Sequence, residues 1–184
     1  MARTPSTMLP IGTKAPEFNL LDTISDEFQT LKQLEGTNGT LIMFICNHCP
    51  FVIHINQKLV ELAEVYQTKG IQFIAISSND VINYPQDGPN EMKKNAKALN
   101  YSFPYLYDER QEIAKAYDAA CTPDFFLFDS NLELVYRGQM DDSRPGNGLP
   151  ANAKDLKNAM DCLLENTQNT WPQKPSIGCN IKWK

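Results

Sequence analysis

The sequence lacks the features of several specialised protein classes. It has no apolar run near the roughly 18 residues that a membrane-spanning helix needs. Its 17 basic and 22 acidic residues give a net charge of −5. No cluster of lysine or arginine marks a nucleic-acid surface, and no internal repeat or low-complexity stretch is present. We therefore expect neither a membrane span nor a nucleic-acid partner.

Secretion signals are also missing. Residues 1–11 contain one arginine and scattered Thr, Ser and Pro, with no apolar segment and no small-residue cleavage site. The five cysteines are an odd number, which argues against the disulfide framework of a secreted domain. We therefore expect a cytoplasmic protein. In a reducing cytosol, a close cysteine pair is typical of a catalytic or metal-binding site.

Length and composition indicate one globular domain. The 184 residues are 42% hydrophobic and 21% charged, close to the averages of soluble proteins. A chain of this length builds one substantial core and is short for two. We predict an N-terminal arm over 1–11, one domain over 12–169 and a C-terminal tail over 170–184.

The hydrophobic pattern changes its period in the first half of the chain. Residues 40–46 form a continuous apolar run, which is typical of a buried parallel strand. Apolar residues then recur every three or four positions over 52–66, which indicates an amphipathic helix. Residues 71–76 are a second apolar run. The pattern predicts a βαβ unit with a right-handed crossover.

Seven further elements are predicted around this unit: strands over 18–22, 28–31, 124–129 and 132–137, and helices over 91–99, 111–119 and 156–164. The first two strands form an N-terminal hairpin and the last two an antiparallel one. The order predicts an α/β fold, with a mixed central sheet flanked by helices. Arg137 and Arg144 are expected to be solvated.

Two cysteines stand where the first predicted strand ends and its helix begins. Unpaired backbone N–H groups and the macrodipole at a helix N-terminus favour negative charge, which lowers the pKa of a thiol. The two-residue spacing brings the sulfurs of Cys46 and Cys49 within disulfide reach. We predict that Cys46, at the exposed mouth of the helix, is the nucleophile, and that Cys49, inside the first turn, resolves the mixed disulfide. The alternative is two buried cysteines that are close by chance.

His48 and Pro123 are the next candidates. An imidazole between the cysteines would stabilise the Cys46 thiolate and make the disulfide more oxidising, and the alternative is an exposed loop residue. Pro123 follows Thr122 directly before a predicted strand, where proline is tolerated as the first residue. The residues alone favour a trans bond at this position.

The combination of these motifs resembles the thioredoxin superfamily. Cys-Asn-His-Cys at 46–49 and Thr-Pro at 122–123, followed by Asp-Phe-Phe-Leu-Phe-Asp, are similar to the thioredoxin core. Gly-Thr-Lys-Ala-Pro-Glu-Phe at 12–18 is similar to the start of the redoxin (AhpC/TSA-like) branch. The ending at 175–184 resembles an uncharacterised bacterial thioredoxin-like subgroup with a Cys-Asn-His-Cys centre.

The resemblance implies a thioredoxin-like fold with an N-terminal hairpin extension. It implies a thiol–disulfide oxidoreductase that exchanges the Cys46–Cys49 dithiol with protein disulfides and receives electrons from a reductase system, with no cofactor and no metal. It also implies that the Thr122–Pro123 bond is cis and that Pro123 faces the cysteines. There Pro123 would help to dock an extended substrate segment by backbone pairing. Asn47 and Pro50 are expected to tune the centre.

The usual acids of this fold are absent. Thr40 stands where thioredoxins carry a buried Asp, and Val52 stands where some membrane-anchored relatives carry a Glu. The proton acceptor for Cys49 is therefore unidentified in the sequence.

Three cysteines lie outside the motif. Cys121, two residues before Pro123, is expected near the centre, where inert packing as a small hydrophobe is favoured. Cys162 receives no role. Cys179 in the tail could resolve or staple, although a lone tail cysteine usually does neither.

Two other functions stay open. A peroxiredoxin-like thiol peroxidase, an antioxidant enzyme, uses Pro-x-x-x-Thr-x-x-Cys, but alignment on Cys49 puts Ile42 at the Pro and Cys46 at the Thr. A copper chaperone of this fold uses Cys-x-x-x-Cys-Pro and a distant His. Here the spacing is one residue shorter, although Pro50 follows and His48 and His54 lie nearby. Soft thiolates with imidazole suit Cu(I) or Zn(II).

Overall fold

The computed structural model describes residues 3–184, so Met1 and Ala2 of the predicted arm lie outside the described residues. The strands are β1 (Arg3–Pro5), β2 (Asn19–Asp22), β3 (Glu27–Thr30), β4 (Gly39–Phe44), β5 (Ile71–Ser77), β6 (Tyr105–Tyr107), β7 (Cys121–Thr122), β8 (Asp124–Phe128), β9 (Leu134–Gly138) and β10 (Ile177–Asn180). The helices are α1 (Leu31–Leu34), α2 (Pro50–Gln67), α3 (Pro89–Ala98), α4 (Glu112–Ala116) and α5 (Lys154–Leu164).

Seven strands form the central sheet in the order β3-β2-β6-β5-β4-β8-β9. β4 pairs in parallel with β5, and α2 connects the two strands, which confirms the predicted βαβ unit. β8 pairs antiparallel with β4 and with β9, and the hairpin β2–β3 pairs antiparallel with β6 at the other side. The prediction of a mixed α/β sheet is confirmed. The short strand β6 was not predicted.

Two apolar layers enclose this sheet, so its central strands are buried on both faces. All six residues of β4 and all five of β8 are buried. Leu59 of α2, Met92 of α3 and Leu156 of α5 belong to the core on one face. Leu31 of α1 and Ala114 of α4 belong to the core on the other face. β4 therefore ends inside the protein, directly below the predicted cysteine motif.

Strands β1 and β10, near the two chain ends, form a second sheet with β7, in the order β1-β10-β7. β10 lies antiparallel between its two neighbours, with Cys179 opposite both Arg3 and Thr122. The predicted arm and tail therefore pack together, against the strand that precedes Pro123. The predicted division at 12–169 stays a prediction. Within the described residues 3–184, no helix is both long and apolar enough to cross a bilayer.

Arg137 is not solvated, so its predicted exposure is wrong. Its side chain is fully buried and its guanidinium lies 4.4 Å from the centre of the Phe126 ring. Nη2 donates to the Asp118 carbonyl and Thr7 hydroxyl, both at 2.8 Å, and forms an ion pair with Asp124 at 3.3 Å. Strand alternation did not predict this burial because the chain ends and the loop before β7 supply the cover.

Candidate active site

The cysteine motif spans the junction between β4 and α2. β4 ends at Phe44, and α2 begins at Pro50, with Cys49 as its N-cap. Proline is favoured at the first helical position because the N–H that it lacks would have no helical partner. Cys46 lies in the loop before the helix and is 2% exposed, and Cys49 is 0% exposed. The predicted exposed mouth is therefore wrong for Cys46, and the helix N-terminus lies at Cys49.

Thr122 contacts both sulfurs of the motif. Its hydroxyl lies 3.4 Å from the Cys46 sulfur, and its carbonyl oxygen lies 3.1 Å from the Cys49 sulfur, which donates to it as a thiol. The following peptide bond, Thr122–Pro123, is cis. The cis bond expected from the resemblance is thus present. Residues far apart in sequence therefore form one compact cluster of two sulfurs and the Thr-Pro segment.

The pKa values of Cys46 and Cys49 are shifted in opposite directions. A hydrogen bond from Cys46 lowers the pKa of Cys49 to about 5, against the effect of burial, and the Cys179 thiol, Thr122 and the Val52 N–H also stabilise the Cys49 thiolate. The same bond to Cys49, then burial and then the charge of Asp87, raise the pKa of Cys46 well above its ordinary value. The hydrogen bond between the two sulfurs thus lowers the pKa of Cys49 and raises that of Cys46, the opposite of the direction predicted for Cys46.

His48 is held beside Cys46 by a buried acid. Its Nδ1 lies 2.6 Å from an Asp87 carboxylate oxygen, and its ring stacks on Tyr84 with centroids 5.6 Å apart. The Cys46 sulfur, a His48 ring nitrogen and an Asp87 oxygen all lie within 4.8 Å of one another. His48 is therefore an ordered, partly buried member of the cluster rather than an exposed loop residue.

Asp87 is the site residue that sequence reasoning missed. It is fully buried and accepts hydrogen bonds from the backbone N–H of Asn47 at 2.9 Å and of His48 at 3.4 Å. Asn79 donates a further bond at 2.8 Å. The only signal in the sequence is an acid in a polar loop, and nothing local indicates that this loop folds over the cysteines.

Asn47 fastens the motif loop to the elements around it. Its side chain donates to the Gln86 carbonyl at 2.8 Å and accepts from Asn95 at 3.1 Å and from the Tyr105 hydroxyl at 3.2 Å. These contacts fix the path of the chain between the sulfurs. Asn47 therefore positions the loop between the two cysteines.

Cys121 and Cys162 have no direct part in this cluster. Cys121 is buried, and burial first and the charge of Asp124 second raise the pKa of its thiol. Its sulfur lies 3.6 Å from the Pro123 carbonyl oxygen. Cys162 lies on α5, partly exposed. Both positions are compatible with structural roles.

Comparison with known proteins identifies the family. Residues 11–137, more than half of the chain, match the AhpC/TSA family. The chain belongs to the AhpC/TSA family. The resemblance to the redoxin branch of the thioredoxin superfamily is thereby confirmed, and so is the class of oxidoreductase.

Three relatives place this AhpC/TSA protein further. An uncharacterized conserved protein from Geobacillus kaustophilus has a crystal structure with a TM-score of 0.98 and 54% identity, covering 100% of this chain and 97% of that one. The thiol-disulfide oxidoreductase ResA of Geobacillus kaustophilus (strain HTA426) is 25% identical over 131 residues, 71% of this chain and 70% of ResA.

The third relative shows the fold alone. It is the thioredoxin domain of a thiol-disulfide oxidoreductase from Bacteroides vulgatus, with a TM-score of 0.60 and 16% identity over 71% of this chain and 89% of that one. The predicted thioredoxin-like fold is confirmed. The finer prediction of a subgroup with a Cys-Asn-His-Cys centre stays a prediction.

The AhpC/TSA chain also places three candidate metal ligands together. Cys46, His48 and Asp87 each offer one ligand atom within the 4.8 Å cluster. A thiolate, an imidazole and a carboxylate are ligands that Zn(II) accepts. In the present arrangement, however, His48 and Asp87 satisfy each other with a direct hydrogen bond. His54, the other histidine considered for a metal, lies outside this three-residue group.

Asp87→Asn is expected to make Cys46 more acidic. The negative charge of Asp87 raises the pKa of Cys46, so its removal lowers that pKa and speeds alkylation of Cys46 at neutral pH. The free energy of unfolding should fall by about 1–3 kcal/mol, because a buried amide cannot accept all the hydrogen bonds that the carboxylate accepts. Iodoacetamide labelling across pH, read by peptide mass spectrometry, and urea unfolding measure both effects.

Asp80→Asn is the matched control. Asp80 is a buried acid of the same loop, and it accepts from the Ile82 N–H at 3.0 Å and from the Asn83 side chain at 2.5 Å. This variant should lose stability and keep the pH profile of Cys46 labelling. An equal shift of the profile in both variants would show that Asp87 acts only by stabilising the loop.

Proposed function

We propose that this protein is a thiol–disulfide oxidoreductase that exchanges a Cys46–Cys49 dithiol with disulfides of protein substrates. One observation carries the proposal: Thr122, the residue before Pro123, contacts the sulfurs of both Cys46 and Cys49 at the N-terminus of α2. The name of the relative ResA supports the same reaction class. Cys46 is the nucleophile, since it lies in the loop outside the helix, and Cys49 resolves.

The sulfur–sulfur hydrogen bond can move the charge to the nucleophile. When the proton passes from Cys46 to Cys49, the new Cys49 thiol donates to the Thr122 carbonyl oxygen at 3.1 Å. The new Cys46 thiolate lies 3.4 Å from the Thr122 hydroxyl, which can donate to it. Thr122 thus provides a partner for each sulfur after the transfer. Cys49 is hydrogen-bonded to Cys46 and is therefore placed to accept its proton.

The exchange then takes two displacements. The Cys46 thiolate attacks one sulfur of the substrate disulfide, and the other substrate sulfur leaves as a thiolate. Cys49 next attacks the Cys46 sulfur of the mixed disulfide and releases the second substrate thiol. The substrate gains two electrons and the enzyme becomes the Cys46–Cys49 disulfide. A reductase system of the cell would restore the dithiol, and the reaction requires no cofactor or metal.

The reduced protein is expected to react with a protein disulfide faster than with hydrogen peroxide, by about 10²-fold or more. A peroxidase needs a hydrogen-bond donor on the developing peroxide oxygen, and loss of one such donor usually costs 10²–10³ in rate. Here Cys46 stands at the position of the peroxidase Thr, and Ile42 at that of its Pro. Stopped-flow mixing with insulin and with hydrogen peroxide measures the two rates. A faster reaction with peroxide would favour the antioxidant peroxidase.

Metal analysis of the purified protein tests the remaining alternative, a metal chaperone. The purified, reduced protein should exchange disulfides without any added ion. Stoichiometric copper or zinc, together with loss of binding in Cys46→Ser, would favour a metal chaperone using Cys46, His48 and Asp87. We also propose a cytoplasmic location, because the odd number of cysteines, five, argues against the disulfide framework of a secreted domain. Fractionation of cells measures it.

A further inference from the structure

The C-terminal strand occupies the place where the resemblance puts an extended substrate. β10 pairs antiparallel with β7, so that Cys179 faces Thr122 and Asn180 faces Cys121. On its other edge β10 pairs with β1. A foreign segment could pair with the backbone before Pro123 only after β10 has left. Strand β10 therefore occupies the edge of β7 on which the resemblance places the substrate segment.

Gly178 allows the backbone of β10 to lie very close to that of Thr122. A Cβ atom at this position would lie 1.9 Å from the Thr122 carbonyl oxygen and 3.1 Å from the Pro123 nitrogen, so no other residue fits without a shift of backbone. Just before it, the Ser176 hydroxyl donates to the Pro123 carbonyl oxygen at 2.6 Å. Just after β10, the Lys182 carbonyl oxygen accepts from the Asp80 N–H at 2.8 Å. The strand is thus held in place on both sides of the cysteine.

Cys179 presents a third sulfur to the redox pair. It is 2% exposed and pairs across the sheet with Thr122, whose carbonyl oxygen lies 3.1 Å from the Cys49 sulfur. A hydrogen bond from the Cys179 thiol also helps to lower the pKa of Cys49. Cys49 is therefore flanked by two thiols, Cys46 from the motif loop and Cys179 from β10. A cysteine on a strand paired beside the cis proline is where the sulfur of a bound disulfide substrate would lie.

We propose that β10 is a tethered substrate of the redox centre and that Cys179 is its third exchanging sulfur. This inference rests on the proposed function, because it starts from the Cys46–Cys49 disulfide of the oxidised enzyme. Cys179 attacks the Cys49 sulfur, the Cys46–Cys49 bond breaks, and a Cys49–Cys179 bond forms. The proton of Cys179 passes to the departing Cys46 thiolate. One disulfide replaces another, so no oxidant or reductant is consumed.

Full-length Cys46→Ser oxidised with glutathione disulfide tests this assignment. Glutathione first forms a mixed disulfide at Cys49, and Cys179 then displaces glutathione to give an intrachain bond. A tethered thiol acts at an effective concentration on the order of 1 mM, so with reduced glutathione at about 0.1 mM the Cys49–Cys179 bond should exceed the mixed disulfide by about tenfold. Acid quenching, alkylation and mass mapping of the disulfides measure the ratio. A persistent mixed disulfide with Cys179 still reduced would overturn the proposal, and so would a Cys49–Cys121 bond.

Three further variants in the Cys46→Ser background control the experiment. Cys179→Ser should leave only the mixed disulfide, and Cys162→Ser should leave the intrachain bond unchanged. Gly178→Ala forces β10 away from Thr122 and should abolish the intrachain bond while Cys49 still accepts glutathione. Asn180→Ala, in the same strand but exposed, should keep the bond. Retention of the bond in Gly178→Ala would count against the paired strand as its cause.

The role proposed for Cys179 and the proposed oxidoreductase function can be tested independently of each other. The mapping in Cys46→Ser requires no turnover, so it decides the role of Cys179 whatever the enzyme does with insulin. If the unsubstituted protein reduces insulin while Cys179 never enters a disulfide, the tethered-substrate proposal fails and the proposed function stands. If Cys179 bonds to Cys49 but insulin is not reduced, the proposed function fails and the exchange assignment stands as chemistry of the isolated chain.

Discussion

Cys46→Ser is expected to lower the rate of insulin reduction by about 10³-fold or more, because it removes the attacking sulfur itself. Cys49→Ser is expected to differ in kind. It retains the attack, so one equivalent of substrate should accumulate as a mixed disulfide on Cys46, but turnover stops because no motif cysteine releases it. Turbidity of reduced insulin measures turnover, and nonreducing electrophoresis detects the trapped complex.

Cys162→Ser is the matched control for these variants, since it replaces a partly exposed cysteine on α5. Its turnover should equal that of the unsubstituted protein. If Cys46→Ser forms a trapped complex through Cys49, or a Cys49–Cys179 bond at the expense of insulin, and Cys49→Ser traps no complex, the assignment of attacking and resolving sulfurs is reversed. That outcome would agree with the lowered pKa of Cys49 and would leave the reaction class intact.

Arg137→Met is expected to lower the free energy of unfolding by about 3–5 kcal/mol, the usual cost of removing one partner from a buried ion pair. Asp124 would keep a buried charge with no cation beside it. Burial already raises the pKa of Asp124 to about 6, and Arg137 opposes this rise. The variant should therefore raise that pKa further. Urea unfolding measures the loss, and Arg110→Met, whose side chain is 80% exposed, should change stability by less than about 0.5 kcal/mol.

The loss should also depend on pH. An acid whose pKa is higher in the folded state stabilises the fold below its unfolded pKa, and this contribution disappears as pH rises through the folded value. For Asp124 the pH window begins near the ordinary pKa of 3.8 and extends to about 6, or higher in Arg137→Met. The variant should thus be less destabilised at about pH 5 than at about pH 8. Equal losses at both values would show that packing around Phe126, rather than the charge of Asp124, dominates.

Much of the fold was predictable because its signals are local. The change of period between 40–46 and 52–66 predicted β4 and α2 to within a few residues. The same junction predicted where Cys46 and Cys49 would lie. Strand β6 was missed because three residues, Tyr105–Tyr107, are too few to show a period. Strands β1 and β10 were missed because Pro, Gly and polar residues interrupt any apolar pattern around them, and their strand structure depends on pairing with each other and with β7.

The electrostatics of the site were less predictable. The helix N-terminus favours the thiolate of the cysteine that caps it, and the sequence analysis placed Cys46 at the helix mouth and Cys49 inside the first turn. Pro50 at the first helical position makes Cys49 the cap. The acid near the centre was also invisible, because Asp87 contacts Asn47 across a sequence separation of 40 residues. Such a contact depends on the path of a polar loop, which has no hydrophobic period.

The sequence by itself determined the βαβ unit, the pair Cys46 and Cys49 at its turn and the Thr-Pro segment of the thioredoxin resemblance. Each of these follows from neighbouring residues, whose side chains set local backbone preferences. Only the tertiary structure decided that Asp87 orients His48, that Arg137 is buried, and that Cys179 reaches the redox pair. These depend on backbone hydrogen bonds between distant segments. Because any strand edge can supply such backbone hydrogen bonds, the pairing of β10 with β7 could not be predicted from the sequence.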